Sequence, residues 1–155
     1  MRLKDTEPGV GTTIEFILPI QYIPGRSVTG EPDPESRKLS LLWVDDDEVV
    51  RDLAIRFIER LGHEGMVVDD GKSALQAISE HSFDLVITDL GMAGMSGFDL
   101  SDEIHRIGPN LPIVALSGWG NSVTEAERLK HHFRLVLPKP IGLKQLGEAL
   151  QEVFS

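Results

Sequence analysis

The chain has 155 residues, 41% of them hydrophobic, with 25 Asp and Glu against 15 Lys and Arg. That supports one core of ordinary size with room for an appendage, and a net charge of −10 opposes direct nucleic-acid binding because phosphates would be repelled. The absence of Cys excludes a disulfide framework and a thiolate metal site, and no apolar stretch approaches the roughly 20 residues that span a bilayer; with Lys4, Asp5 and Glu7 at the start in place of a signal peptide, the chain is expected to be cytoplasmic and without membrane contact.

In chain order, Arg2-Leu3-Lys4 can begin a strand, Glu7-Pro8-Gly9-Val10-Gly11 is turn chemistry, and the residues from Thr12 to Pro19 alternate as a second strand. These predict a β-hairpin over residues 1–20, marginally stable if alone. Residues 21–38, preceded by Pro19 and holding Pro24, Pro32 and Pro34 with scattered charges, predict an extended linker. From residue 39 the pattern changes. Leu41-Leu42-Trp43-Val44 is an apolar run ending in Asp45-Asp46-Asp47, and Val49, Val50, Leu53, Phe57, Ile58 and Leu61 then recur at three and four, one face of a helix that Gly62 ends. Ala74, Leu75, Ala77 and Ile78 mark a second helix opening near Gly71 and Lys72. A run from Phe83 to Thr88 delivers Asp89 to the Gly-rich loop Leu90–Gly97. Phe98, Leu100, Ile104 and Ile107 predict a third helix, closed by Gly108-Pro109. The run Leu111–Leu116 meets Ser117-Gly118, the run Phe133–Leu137 meets Pro138-Lys139-Pro140, and Leu143, Leu146, Leu150, Val153 and Phe154 mark a last helix.

Short apolar strands alternating with helices predict right-handed crossovers and a doubly wound α/β fold, with a parallel sheet covered on both faces. Ligands of such sheets sit outside the carboxyl ends of the strands. Asp45, Asp46, Asp89, Ser117 and Lys139 all stand at such ends, so they are expected to share one pocket. Asp47 and Glu48 are expected to favour the first helix's N-terminus, and Asp99 and Asp102 the third's. His63 and His81 are expected at helix ends, His131 and His132 on the surface with no partner at ligand spacing, and Met92 and Met95 over the active loop.

From about residue 39 to 155 the chain resembles the receiver domain of two-component response regulators, including receivers fused to hybrid histidine kinases. The resemblance lies in Val44-Asp45-Asp46, in Thr88-Asp89-Leu90-Gly91-Met92, in Leu116-Ser117-Gly118 and in Lys139-Pro140, all in order. It implies a five-stranded, flavodoxin-like sheet of order 2-1-3-4-5, a cis bond before Pro140, and Asp89 as phosphoacceptor. The donor it implies is the phosphohistidine of a histidine kinase or histidine phosphotransfer protein, with a protein interaction switched as a result. Residues 1–20 are similar to the closing hairpin of a histidine-kinase ATP-binding domain. No ATP lid, nucleotide-binding helix or phosphoacceptor His segment accompanies it, so the only expected reactions are Mg²⁺-dependent self-phosphorylation and self-dephosphorylation.

Three carboxylates about 4 Å apart repel by roughly 4 kcal/mol per pair at an effective dielectric near 20, a cost that a hard divalent cation removes. Mg²⁺ suits the site because it takes a few carboxylates, keeps waters and accepts phosphate oxygens. Asp46 and Asp89 are expected as direct ligands, Asp45 either through water or as an acid behind the direct ligands, and, by family resemblance, the Gly91 carbonyl. Lys139 and Ser117 are expected to meet phosphoryl oxygens. Three positions depart from the family pattern: Ala93 replaces the usual Pro, Val136 the usual switch aromatic, and Gly91 offers no side chain to hold water, while Trp119 stands two after Ser117. The alternative, an aspartate-nucleophile phosphatase of the haloacid-dehalogenase type, needs an acid where Gly91 stands. A nucleotide module would want a phosphate loop where Asp45-Asp46-Asp47 lies.

Overall fold

The computed structural model of the chain describes residues 38–118 and 123–154 in full and residues 13–16 by their backbone. The elements are β1 (Thr13–Phe16), β2 (Ser40–Val44), α1 (Glu48–Arg60), β3 (Glu64–Val68), α2 (Gly71–Glu80), β4 (Leu85–Asp89), α3 (Gly97–Ile107), β5 (Ile113–Ser117), α4 (Glu125–Lys130), β6 (Leu135–Pro138) and α5 (Leu143–Phe154). Strand order across the sheet is β1-β3-β2-β4-β5-β6. From β3 to β6 every pairing is parallel, which is the order 2-1-3-4-5 when counting starts at β2.

Period-two alternation along the strands divides the core. Leu41, Trp43, Ile87, Val114 and Leu116 face Ala54, Ile55 and Ile58 of α1 and Leu146, Leu150 and Val153 of α5. Leu42, Val44, Val86 and Ala115 face Ala74 and Ala77 of α2 and Leu100 and Ile104 of α3. Both faces are thereby buried, and only the loops at the strand ends remain for polar chemistry. Helix starts are set by side-chain caps: Asp47 accepts from the Val49 and Val50 amides, Asp70 from Ser73, and Ser96 forms a reciprocal box with Asp99. Gly65 lets β2 and α1 lie close on β3, since a Cβ there would come within 2.7 Å of the Leu41 carbonyl oxygen and 3.0 Å of Ile58 Cδ1. No helix among the described residues is long and apolar enough to cross a membrane.

One strand differs from expectation. Thr13–Phe16, predicted as part of a separate hairpin, pairs antiparallel with β3 and adds a sixth strand to the sheet. An outer strand presents unpaired backbone groups that any extended segment can satisfy. The hairpin's first strand at Arg2–Lys4 and the linker over residues 21–37 lie outside the described residues.

His63, in the turn between α1 and β3, also does more than end a helix. Its Nδ1 accepts the Leu39 amide hydrogen at 3.2 Å, tying the entry of β2 to the turn. Burial holds its pKa below the ordinary value, with the charge of Asp84 opposing. Since the folded state keeps the ring neutral, its contribution to stability is complete above the unfolded value of about 6.5 and is lost as pH falls from there toward the lower folded value. His63→Asn keeps an acceptor for Leu39 but does not titrate. Urea midpoints measured from pH 7.5 to 5 are expected to fall more steeply for the wild type than for this variant; parallel curves would show that His63 is not the group responsible.

Candidate functional site

Strand β2 ends at Val44, but the Asp45 amide continues the ladder by donating to the Val68 carbonyl at 3.1 Å. This draws Asp45 into the interior, where it is 0% exposed. Its Oδ1 accepts from the Asp47 amide at 2.9 Å, and the Arg51 Nη1 donates to its carbonyl at 2.9 Å. Asp46, one residue on, turns outward and accepts weakly from the Ala93 amide at 3.4 Å. Asp89 is the last residue of β4 and is 6% exposed. Carboxylate oxygens of Asp45, Asp46 and Asp89, one from each, all lie within 4.8 Å of one another.

Lys139 follows β6 and enters between two of these acids. Its Nζ lies 3.1 Å from Asp45 Oδ2 and 3.3 Å from Asp89 Oδ1. Its amide donates to the Ser117 carbonyl at 2.9 Å, and the Lys139-Pro140 peptide is cis. Ser117 ends β5, buried and in register with Pro138. The Gly-rich loop closes compactly over β4 because α3 begins at Gly97, where a Cβ would meet the Asp89 carbonyl oxygen at 2.4 Å. Gly91 is exposed, and a Cβ there would meet nothing within 4 Å.

Burial pushes the Asp45 carboxyl above its ordinary pKa; the Asp47 amide and Lys139 resist, and the charge of Asp89 adds to the rise. For Lys139 burial acts downward, but its hydrogen bond to Asp45 and the charges of Asp45 and Asp89 outweigh it, so its pKa is raised. Three carboxyl groups gathered in a small volume beside a single ammonium suit a divalent cation.

All five expected residues therefore stand at strand ends on one rim. Arg51 is an addition, since its partner is a backbone carbonyl; the only signal in the sequence was a cation one helical turn after Asp47. His131 pairs with an acid: its Nδ1 lies 3.0 Å from Asp102 Oδ1, and its ring meets the edge of Phe98. His132 stacks on His105. Met92 and Met95 pack under the loop against the α2–α3 side of the core, and Val136 of β6 packs against that same core. Trp119 lies outside the described residues.

An adjacent acid pair with one member buried and one exposed, a buried third acid one strand over, a strand-end hydroxyl and a lysine before a cis proline define a phosphoacceptor class of doubly wound domain. The chain belongs to the response regulator receiver domain family, matching it over residues 41–151. Among relatives, the sensor protein EvgS of Escherichia coli K12 is 31% identical over 156 residues, 97% of this chain but 13% of its own length. The autoinducer 1 sensor kinase/phosphatase LuxN of Vibrio harveyi is 38% identical over 111 residues, 72% of this chain and 13% of its own. The chain thus spans about an eighth of these sensor proteins. Among solved structures, the chemotaxis protein CheY4 of Vibrio cholerae superposes with a TM-score of 0.71 at 25% identity, covering 76% of this chain and 99% of that one. As a receiver, the chain is a phosphoacceptor module of two-component signalling.

Proposed function

We propose that Asp89 takes a phosphoryl group from a phosphohistidine, with Mg²⁺ held by Asp46, Asp89 and the Gly91 carbonyl, and by Asp45 through water. The observation carrying this is the Lys139 ammonium set between Asp45 and Asp89 beside an exposed third acid. An Asp89 oxygen forms the new bond to phosphorus as the bond from phosphorus to the imidazole nitrogen breaks, and the freed imidazole takes up a proton. Bound among the acids, Mg²⁺ supplies charge neutralisation for an anionic donor meeting anionic side chains. Lys139 pairs with one phosphoryl oxygen and the Ser117 hydroxyl donates to another, so positioning and charge stabilisation do most of the work. The donor is the phosphohistidine of a histidine kinase or histidine phosphotransfer protein. Similarity to EvgS reaching the residues ahead of the receiver supports a place within a longer sensor kinase.

Labelling by acetyl phosphate is expected to require Mg²⁺ and to stop in excess chelator. Trp43 lies buried two residues before Asp45, so its fluorescence is expected to change on weak binding of Mg²⁺. Undiminished labelling in chelator contradicts the metal assignment.

The acyl phosphate is expected to be long-lived for a receiver, because Gly91 offers no group to align a water with the phosphorus. The open space around Gly91 admits a side chain. Gly91→Asn is therefore expected to speed phosphoryl loss by about tenfold, measured as decay after donor removal at saturating Mg²⁺. Equal decay in the two proteins would place control of water elsewhere. The same bare position argues against the dehalogenase-type phosphatase.

A further inference from the structure

Strand β3 is the outermost strand of the parallel sheet, so one row of its backbone groups has no partner within the receiver. Thr13–Phe16 takes that row in a continuous register, with Thr13 opposite Val68, Ile14 opposite Val67, Glu15 opposite Met66 and Phe16 opposite Gly65. The pairing is not a local hairpin, because residues 17–39 intervene before the chain re-enters the sheet at Ser40. Nor does it belong to what receivers share: the family match begins at residue 41, and CheY4 covers 76% of the chain. The similarity to EvgS, by contrast, takes in 97%.

We propose that the outer edge of β3 is an intramolecular docking edge for the strand that ends the preceding domain, joining that domain to the receiver by main-chain hydrogen bonds. This rests on the reading of the chain as part of a longer sensor kinase. A strand has two hydrogen-bonding edges. β1 gives one of them to β3. Four residue pairs make a weak attachment across a long connection, one that can open and re-form. The docked strand also begins beside the pocket, since Val68, opposite Thr13, accepts the Asp45 amide hydrogen.

The test is hydrogen exchange of the Gly65–Val68 amides in the 155-residue chain and in its Ile14→Pro/Glu15→Pro variant. Successive residues of an antiparallel strand alternate between bonded and non-bonded positions, so one of the two prolines must remove a ladder donor. Edge-facing amides in Gly65–Val68 are expected to exchange at least tenfold faster in the variant, with β4 and β5 unchanged. Equal exchange in the two proteins overturns the proposal, and so does protection that rises with wild-type concentration, which would assign the edge to a second copy. The readout is a backbone exchange rate, so it stands or falls apart from phosphoryl chemistry.

Discussion

Replacing Lys139 by Met is expected to slow phosphoryl transfer from acetyl phosphate by about 100-fold or more, the usual cost of removing one preorganised group that meets developing charge. Met keeps much of the length and apolar stem while removing the ammonium that lies between Asp45 and Asp89. Two further effects separate this from simple damage. Asp45, wholly buried, loses its cation, so stability is expected to fall by about 1–3 kcal/mol, less than for a fully buried pair because the Lys139 side chain is 23% exposed. Mg²⁺, no longer competing with a fixed positive charge, is expected to bind more tightly and to restore part of that stability. Lys139→Arg is not expected to rescue transfer, because a planar fork does not present a point charge to both acids. Intact-mass time courses and thermal melts with and without Mg²⁺ check all three. Unchanged transfer in the Met variant removes Lys139 from the mechanism.

The pocket was legible before the structure because each acid follows an apolar run. Leu41–Val44 and Phe83–Thr88 announce buried strands, and a carboxylate just after a buried strand has only the rim to occupy. The same logic placed Ser117 and Lys139, and helical spacing marked α1, α2, α3 and α5. Strand β3 and helix α4 were not read from pattern. β3 is five residues long, begins with Glu64 and Gly65, and buries only Met66, Val67 and Val68, so it shows neither alternation nor a long apolar run. α4 has six residues and buries none of them, which leaves no stripe to detect; its one signal is the Thr124–Glu127 capping box. The strand order therefore came from family resemblance rather than from periodicity.

Contacts hidden from the sequence share a physical cause. Arg51 is aimed at a carbonyl and His63 at an amide, and backbone groups carry no residue identity to pair with. His131 meets Asp102 across 29 positions through the packing of α3 against the end of α4, a proximity no spacing rule contains. β1 belongs to the same class, since an open sheet edge exists only once the sheet is built.

Asp89→Asn carries the largest expected effect and tests the central claim most directly. The substitution keeps the shape of a 6% exposed side chain, removes the nucleophile and takes one negative charge out of the acidic cluster, so the melting temperature is expected to hold or rise. With acetyl phosphate and saturating Mg²⁺, intact-mass analysis is expected to show one phosphoryl adduct on the wild type, mapped to Asp89, and none on the variant. A single adduct persisting on the folded Asp89→Asn protein would contradict the account and move the acceptor elsewhere, with Asp46 the first residue to examine.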